Sequence, residues 1–494
     1  VSERSERAGN RASDDGTRPG GRVAVVGGGI AGLAAAVRLR DRLPAGTRIT
    51  VYEQSDVLGG KLRTGSLAGS TIEFGAEAFL VRDPAGGDSA AVALARRVGL
   101  GDALVHPATG RAALAIDGQL RPVPPGTLVG VPGDLDAVAT VARPEPERDR
   151  DDGRPLLGPD EDVTVGDLVR RRFGADVVDR LVDPMLGGVY AGRADQLSLA
   201  TTMPALARAA RTESTLVGAV RAAQAAAARS PGGPVFATVA GGVSRLVAAA
   251  AEASGAEIRL NAPVRDLVPV PGGWRLVVGP TRDPELVEAD AVVLALPARP
   301  AARLLAGVDV AVGALVGRLD YASVALVSLA LPARAAEVLP EDLSGFLVPA
   351  TEGTLVKAAT FVTTKWPHLR RPDGVVLLRV SIGRYGEEHL LQRTDDELVA
   401  TAHRELTDLV AGANGGIPLP EPVATHVQRW GAALPQYGPG HLDRVAAARA
   451  ALRDAYPTLA LAGAGYDGVG IPLCVRSGET AAEDIVKVWG ATGP

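Results

Sequence analysis

A chain of 494 residues, 46% hydrophobic and 22% charged, exceeds what one core holds, so at least two globular units are expected. Fifty-two basic against 57 acidic residues give a net charge of -5 with no basic stripe, which argues against a nucleic-acid partner. A single cysteine, Cys474, excludes an intrachain disulfide, and the six histidines lack ligand spacing, so no metal site is expected.

Residues 1–20 are polar without an apolar centre and read as a disordered tail, not as a signal peptide or anchor. No apolar run reaches the roughly 18–20 residues of a membrane span, so no transmembrane segment is expected and the cytoplasm is the default location. Arg22 to Val26 then forms a short buried-strand pattern, followed by Gly27-Gly28-Gly29 and the helix-forming run Ile30 to Ala36. A second strand, Arg48 to Glu53, ends in an acid, which makes a βαβ unit with parallel strands and a right-handed crossover.

Gly27, Gly29 and Gly32 spell G-x-G-x-x-G at that strand-to-helix turn. The first glycine permits a tight turn, the second lets backbone approach a pyrophosphate, and the third lets helix and strand pack closely. Gly28, Ile30 and Ala31 complete the turn and the first helical N–H groups, which attract phosphate. Glu53 stands 21 residues beyond Gly32, where a carboxylate accepts ribose hydroxyls. The spacing therefore predicts a dinucleotide site. In Leu58-Gly59-Gly60-Lys61-Leu62-Arg63-Thr64, Gly60 allows close approach while Lys61 and Arg63 can oppose negative charge; an ordinary basic surface turn is the competing reading.

Farther along, residues 88–99 read as a helix and 112–123 as a hairpin turning at Asp117-Gly118. Residues 143–161 are charged and rich in proline, a solvated loop or disordered insertion. Residues 164–230 read as mostly helical, with a break near Pro184 to Gly192. Gly241 to Leu246 opens a helix, and strands follow at Glu257 to Leu260, Trp274 to Val278 and Ala289 to Leu296. Residues 322–330, 354–362 and 375–382 read as further strands, antiparallel because no long crossover separates them. A helix near 394–411, a strand at 459–462, a glycine-dense turn and a helix from about Gly478 to Val488 complete the chain. The fold class is thus mixed α/β and α+β. A discontinuous Rossmann-like cofactor domain (21–104, 236–297 and 425–494) is interrupted by a substrate domain of antiparallel sheet plus helices (105–235, largely helical, and 298–424).

The set Gly27 to Gly32, Glu53, Gly59-Gly60 with Arg63 and Thr64, and Gly75-Ala76-Glu77 resembles the FAD domain of the monoamine-oxidase-like flavoproteins. The likeness continues through Gly241 to Leu246 and Val264, where the superfamily brackets adenine with backbone groups. The ending, Gly463 to Cys474, resembles the protoporphyrinogen/coproporphyrinogen oxidase family, as do Gly75 to Arg82 and Met185 to Tyr190. As a whole the chain is most similar to the soluble Gram-positive branch, whose substrate is coproporphyrinogen III.

That resemblance implies FAD, with Gly75, Ala76, Val264, Gly468, Val469, Gly470 and Ile471 joining the motif residues around it. It also implies six-electron oxidation of a porphyrinogen by O2, giving H2O2. Cofactor chemistry of this kind calls for alignment more than for a strong side-chain base. On the substrate side it implies Arg82, Tyr190 and Lys357, with Lys365 as a further cation for the propionates. A transient contact with a ferrochelatase-type next enzyme is expected. Protoporphyrinogen as substrate, an amine-oxidase or desaturase-like activity, and a non-catalytic FAD-binding scaffold remain alternatives.

Overall fold

Strand Arg22–Val26 is buried at four of its five residues, as expected of a strand covered on both faces. It is the centre of five parallel strands in the order Glu257–Arg259, Arg48–Tyr52, Arg22–Val26, Ala291–Leu294 and Leu459–Leu461. Three distant stretches of chain thus converge in one sheet. The computed structural model describes residues 20–84, 86–227 and 233–491, so the tail expected over 1–20 lies, apart from Gly20, outside the described residues.

Helix Ile30–Arg42 and the closing helix Ile471–Ala491 pack together over one face of this sheet. The closing helix begins at Ile471, not near Gly478 as expected from the sequence. Gly478 lies inside it, and a β-carbon there would stand 2.0 Å from the carbonyl oxygen of Ala31. The glycine that reads as a helix opener is instead what lets two helices touch backbone to backbone. Pro472 falls in the first turn, where its missing N–H has no carbonyl to serve.

The second sheet has seven strands, ordered Ala424–Gln436, Asp320–Leu331, Val376–Ile382, Val356–Phe361, Gly345–Leu347, Ala112–Ile116 and Gln119–Pro122. The expected hairpin at 112–123 is its far edge. The sheet is antiparallel apart from one parallel pair, Gly345–Leu347 with Ala112–Ile116, whose strands come from separate halves of the chain. Helix Asp395–Asn414 covers one face, opening on a capping box between Thr394 and Glu397. Strand Ala424–Gln436 pairs with Asp320–Leu331, which adds it to the edge of this second sheet. This edge strand is mostly half-exposed and carries Thr425, His426, Gln428 and Arg429, which erase the apolar alternation that reveals a strand.

A third core is helical, from Val165–Phe173 to Leu216–Ala227. Contrary to the break expected from Pro184 to Gly192, the chain is helical from Asp183 to Tyr190, with Pro184 in the first turn, and one π-type turn, Val178–Val182, precedes it. Pro184 has no N–H for the carbonyl four residues back, and the chain widens there. Residues 143–161 form a loop, as expected, but an anchored one. Leu157 is buried in this core, and the Asp149 carboxylate accepts the N–H groups of Leu216 and Val217. The solvated loop of the two expected descriptions holds, since most of its residues are exposed, but it is anchored by Asp149 as a helix cap and by Leu157 in the core.

Candidate active site

The glycine turn of the first βαβ unit is built as its spacing predicts. Gly27 has φ +109°, and a β-carbon there would lie 2.4 Å from the Ala295 carbonyl oxygen. A β-carbon on Gly32 would stand 2.0 Å from the Gly27 carbonyl oxygen, so only glycine lets the helix sit this close to its strand. Gly29, by contrast, faces open space, and the Gly60 position would meet only the Gly29 Cα, at 3.7 Å. Two glycine loops thus confront each other across room that no side chain fills. Beside them is the start of helix Ile30–Arg42, with no side-chain cap and no acid in its first turn, so its first N–H groups are not spent on a side chain and suit an anion.

Glu53 fixes this turn from below. One carboxylate oxygen accepts the Gly28 N–H at 2.8 Å and the other accepts the Ser55 N–H and hydroxyl. A carboxylate offers about four acceptor sites, so capacity for ribose hydroxyls remains. The backbone of Ala262 bonds back to Glu53, which brings Val264, two residues on, to the same end of the sheet. Lys61 is buried enough that its pKa is lowered, and it faces Cys474 in the first turn of the closing helix. Arg63 accepts the Phe74 N–H through its carbonyl, and Ala76 donates to the Lys61 carbonyl. Gly75 has a packing reason of its own, since a β-carbon there would lie 1.9 Å from that same Lys61 oxygen. The residues present therefore fit a dinucleotide cofactor.

The turn before the closing helix runs from Gly463 to Gly470. Gly468 and Gly470 take φ of +115° and +121°, conformations that L side chains rarely adopt. Val469 between them is half-buried and Gly470 is exposed, with Ile471 buried as the first helical residue. A polar network pins this turn. Arg449 makes a bidentate pair with Asp467 at 2.7 and 2.6 Å, Ser477 donates to Asp467, and Gly463 N–H donates to Ser477 at 2.8 Å.

The end of helix Asp183–Tyr190 reaches this turn through Tyr437. Gly188 and Val189 are exposed, Val189 by 46%, although this helix is otherwise built into two cores. Tyr190 packs edge-to-face on Tyr437, ring centroids 6.0 Å apart, and the Tyr437 hydroxyl donates to the carbonyl of Ala464 in the glycine-rich turn. Burial raises the Tyr190 pKa to about 12. Lys357 meets the same helix: its Nζ donates to the Gly187 carbonyl at 3.2 Å. This ammonium is only 7% exposed, and burial, followed by the neighbouring Arg384 guanidinium, lowers its pKa to about 8. Arg384 spends its donors on backbone carbonyls of Val348, Thr354 and Val356, with Glu387 3.9 Å away.

The structure thus links Tyr190 to the 463–470 turn through Tyr437 and joins Lys357 to the same helix through the Gly187 carbonyl. Arg82 lies elsewhere. It is exposed beside strand Phe79–Leu80, next to Asp83, which pairs with Arg476 of the closing helix. Lys365 is committed to Glu77 at 2.6 Å, so it is not a free cation for a substrate carboxylate. Glu77 also accepts from Trp366 and pairs with Arg379 at 2.8 Å; burial alone would raise its pKa, but Arg379 and Lys365 together hold it at about 2. Sequence reasoning missed Tyr437, Arg384 and the Arg449–Asp467 pair; the dense turn Gln436-Tyr437-Gly438-Pro439-Gly440 was the one available signal. Among the described residues no group of three or more His, Cys, Asp or Glu is placed to hold a metal ion, and no helix is long and apolar enough to cross a membrane.

The family model of flavin-containing amine oxidoreductases matches residues 30–486. The chain is 38% identical over 476 residues to the coproporphyrinogen III oxidase of Mycobacterium tuberculosis (strain H37Rv), covering 94% of this chain and 98% of that protein. It is 30% identical to the coproporphyrinogen III oxidase of Bacillus subtilis (strain 168), covering 94% and 97%. A crystal structure from Exiguobacterium sp. 255-15, provisionally assigned as a protoporphyrinogen oxidase, superimposes with a TM-score of 0.79 at 29% identity, over 95% of this chain and 99% of that one.

Proposed function

This chain belongs to the flavin-containing amine oxidoreductase family, and from that premise we propose that it oxidises coproporphyrinogen III to coproporphyrin III, with O2 as acceptor and H2O2 as by-product. Its cofactor is FAD. When bound, FAD accepts electron pairs from substrate and passes them to O2, and the protein contributes alignment and electrostatics.

The observation that carries the reading is the Lys357 ammonium, buried against the helix that ends at Tyr190 and without a carboxylate partner among the described residues. Buried charges are paired in proteins, so a ligand carboxylate is the missing half. Coproporphyrinogen, an apolar macrocycle with four propionates, supplies it. Val189 and Tyr190 offer the apolar wall, and Gly468 and Gly470 let the flavin-side backbone come close. The pyrophosphate would rest on the N–H groups at Gly29, Ile30 and Ala31, Glu53 would hold the ribose, and the adenine would lie by Val264. Segments 21–104 and 236–297, with the chain beyond Gln436, would carry the cofactor, and the remainder the substrate.

Arg82 enters this proposal as an outer cation. It stands beside Leu80 and Phe236, a cross-strand pair exposed by 43% and 41%, which together suit hand-over of a flat apolar product to a ferrochelatase-type next enzyme. Residence in the cytoplasm is part of the same reading, supported by a substrate that needs reducing surroundings to survive. The test is anaerobic mixing of the yellow holoprotein with coproporphyrinogen. Bleaching of the flavin band, its return on admitting air and the appearance of porphyrin fluorescence are the expected results. Bleaching by amines alone, or by nothing, would refute the proposal.

A further inference from the structure

Behind the 463–470 turn lies a small pocket of about 10 Å³, lined by His441, Arg444, Gly465 and Tyr466 among apolar neighbours. That volume is close to the roughly 10–15 Å³ one water needs. His441 and Tyr466 are each 3% exposed, and the His441 Nε2 and Tyr466 hydroxyl find no hydrogen-bond partner in the protein. Two residues that line one water-sized space thus each carry an orphaned buried polar atom, and such atoms call for a partner.

The surroundings connect this space to the candidate active site. His441 packs on Tyr437 with ring centroids 4.7 Å apart, and Tyr437 bonds the Ala464 carbonyl. Tyr466 belongs to the short helix Ala464–Asp467 inside the turn, one residue from the Asp467 that Arg449 clamps. Burial and then Arg444 lower the His441 pKa to about 4, so the imidazole is neutral at pH 7. Burial likewise keeps the Tyr466 hydroxyl protonated. A neutral imidazole, a phenol and the Arg444 guanidinium offer a water both donors and an acceptor.

We propose that His441 and Tyr466 are positioning residues that hold one water between them, and that this water locks the turn facing the flavin. The inference rests on reading Gly463 to Gly470 as the flavin-side segment. Removing one partner leaves the other polar atom buried and unpaired, whereas removing both leaves an apolar hole that is tolerated. Tyr466→Phe and His441→Leu are therefore each expected to weaken FAD retention about ten-fold and to shift the visible flavin band. The double variant should be no worse than either single one, and His441→Gln, which can still bond a water, should stay near wild type. Losses that multiply to about a hundred-fold in the double variant, or a glutamine as damaging as leucine, would overturn the proposal. Should the variants fail to fold, crystals of the wild-type holoprotein decide: density within hydrogen-bond distance of both atoms supports it, and an empty cavity overturns it. Wild-type protein that takes up no FAD would sink the flavin reading itself, while the cavity density would still report on the water.

Discussion

Lys357→Met separates stability from substrate binding in a way that few substitutions here can. A lysine held at about 8 against an ordinary 10.5 costs the folded state about 3 kcal/mol at neutral pH. Methionine fills nearly the same volume without charge, and losing the donor to the Gly187 carbonyl returns about 1 kcal/mol. The variant should therefore be about 2 kcal/mol more stable, about 2 °C in Tm for a chain of this length. Between pH 8 and 10.5 the unfolded chain binds more protons at this lysine than the folded one, so wild-type stability rises with pH across that window. In the variant this rise is absent. Binding moves the other way. Loss of an ammonium–carboxylate contact worth about 1.5–3 kcal/mol should raise KM for coproporphyrinogen about ten- to a hundred-fold, with kcat little changed. The tetramethyl ester of the same porphyrinogen, which lacks the carboxylates, should bind wild type and variant alike. Thermal melts across pH and steady-state fluorescence of the porphyrin product measure both arms. A lower Tm together with an unchanged KM would show that Lys357 is an ordinary structural lysine.

Glu77→Gln should destabilise by about 3–5 kcal/mol, because Lys365 and Arg379 lose their shared carboxylate inside the protein. In wild type this carboxylate, held at about 2 against 4.5, contributes stability above pH 4.5 that is lost as pH falls towards 2; acid unfolding curves of the two proteins should converge there. Gly478→Ala drives a methyl into the Ala31 carbonyl and should cost about 1–3 kcal/mol, read as a lower melting temperature; an unchanged melt would show that the two helices can slide apart freely. Glu53→Ala frees the Gly28 and Ser55 N–H groups and should loosen FAD about ten-fold, measured by flavin released on gel filtration. Undiminished retention would remove Glu53 from the ribose site.

What could be read from the residues divides along a physical line. The βαβ unit was legible because its glycines answer to backbone geometry within about thirty residues: Gly27 to Ala295 is the long-range exception, and even there the demand is for a missing β-carbon. The hairpin at Asp117-Gly118 and the helix capped by Thr394 and Glu397 were legible for the same reason, since their determinants are neighbours in sequence. Gly478 misled because one residue type serves two purposes, ending or starting helices and admitting close packing, and only the partner helix decides between them. Strand Ala424–Gln436 was invisible because an edge strand need not alternate.

The site itself divides likewise. Phosphate-facing positions announce themselves, because an anion requires N–H groups at a helix start and glycines that stay out of the way. The proposed substrate side does not, because its electrostatics arise between distant segments: Lys357 on a strand, Gly187 on a helix 170 residues earlier, Arg384 after the next strand. Nothing local to Lys357 tells it from Lys365, yet the fold gives Lys365 a carboxylate within 2.6 Å and gives Lys357 a second cation. A charge left buried beside a like charge is tolerated where a bound partner relieves it. That asymmetry between two lysines eight residues apart is what singles out Lys357 as the proposed substrate contact, and only the folded chain contains it.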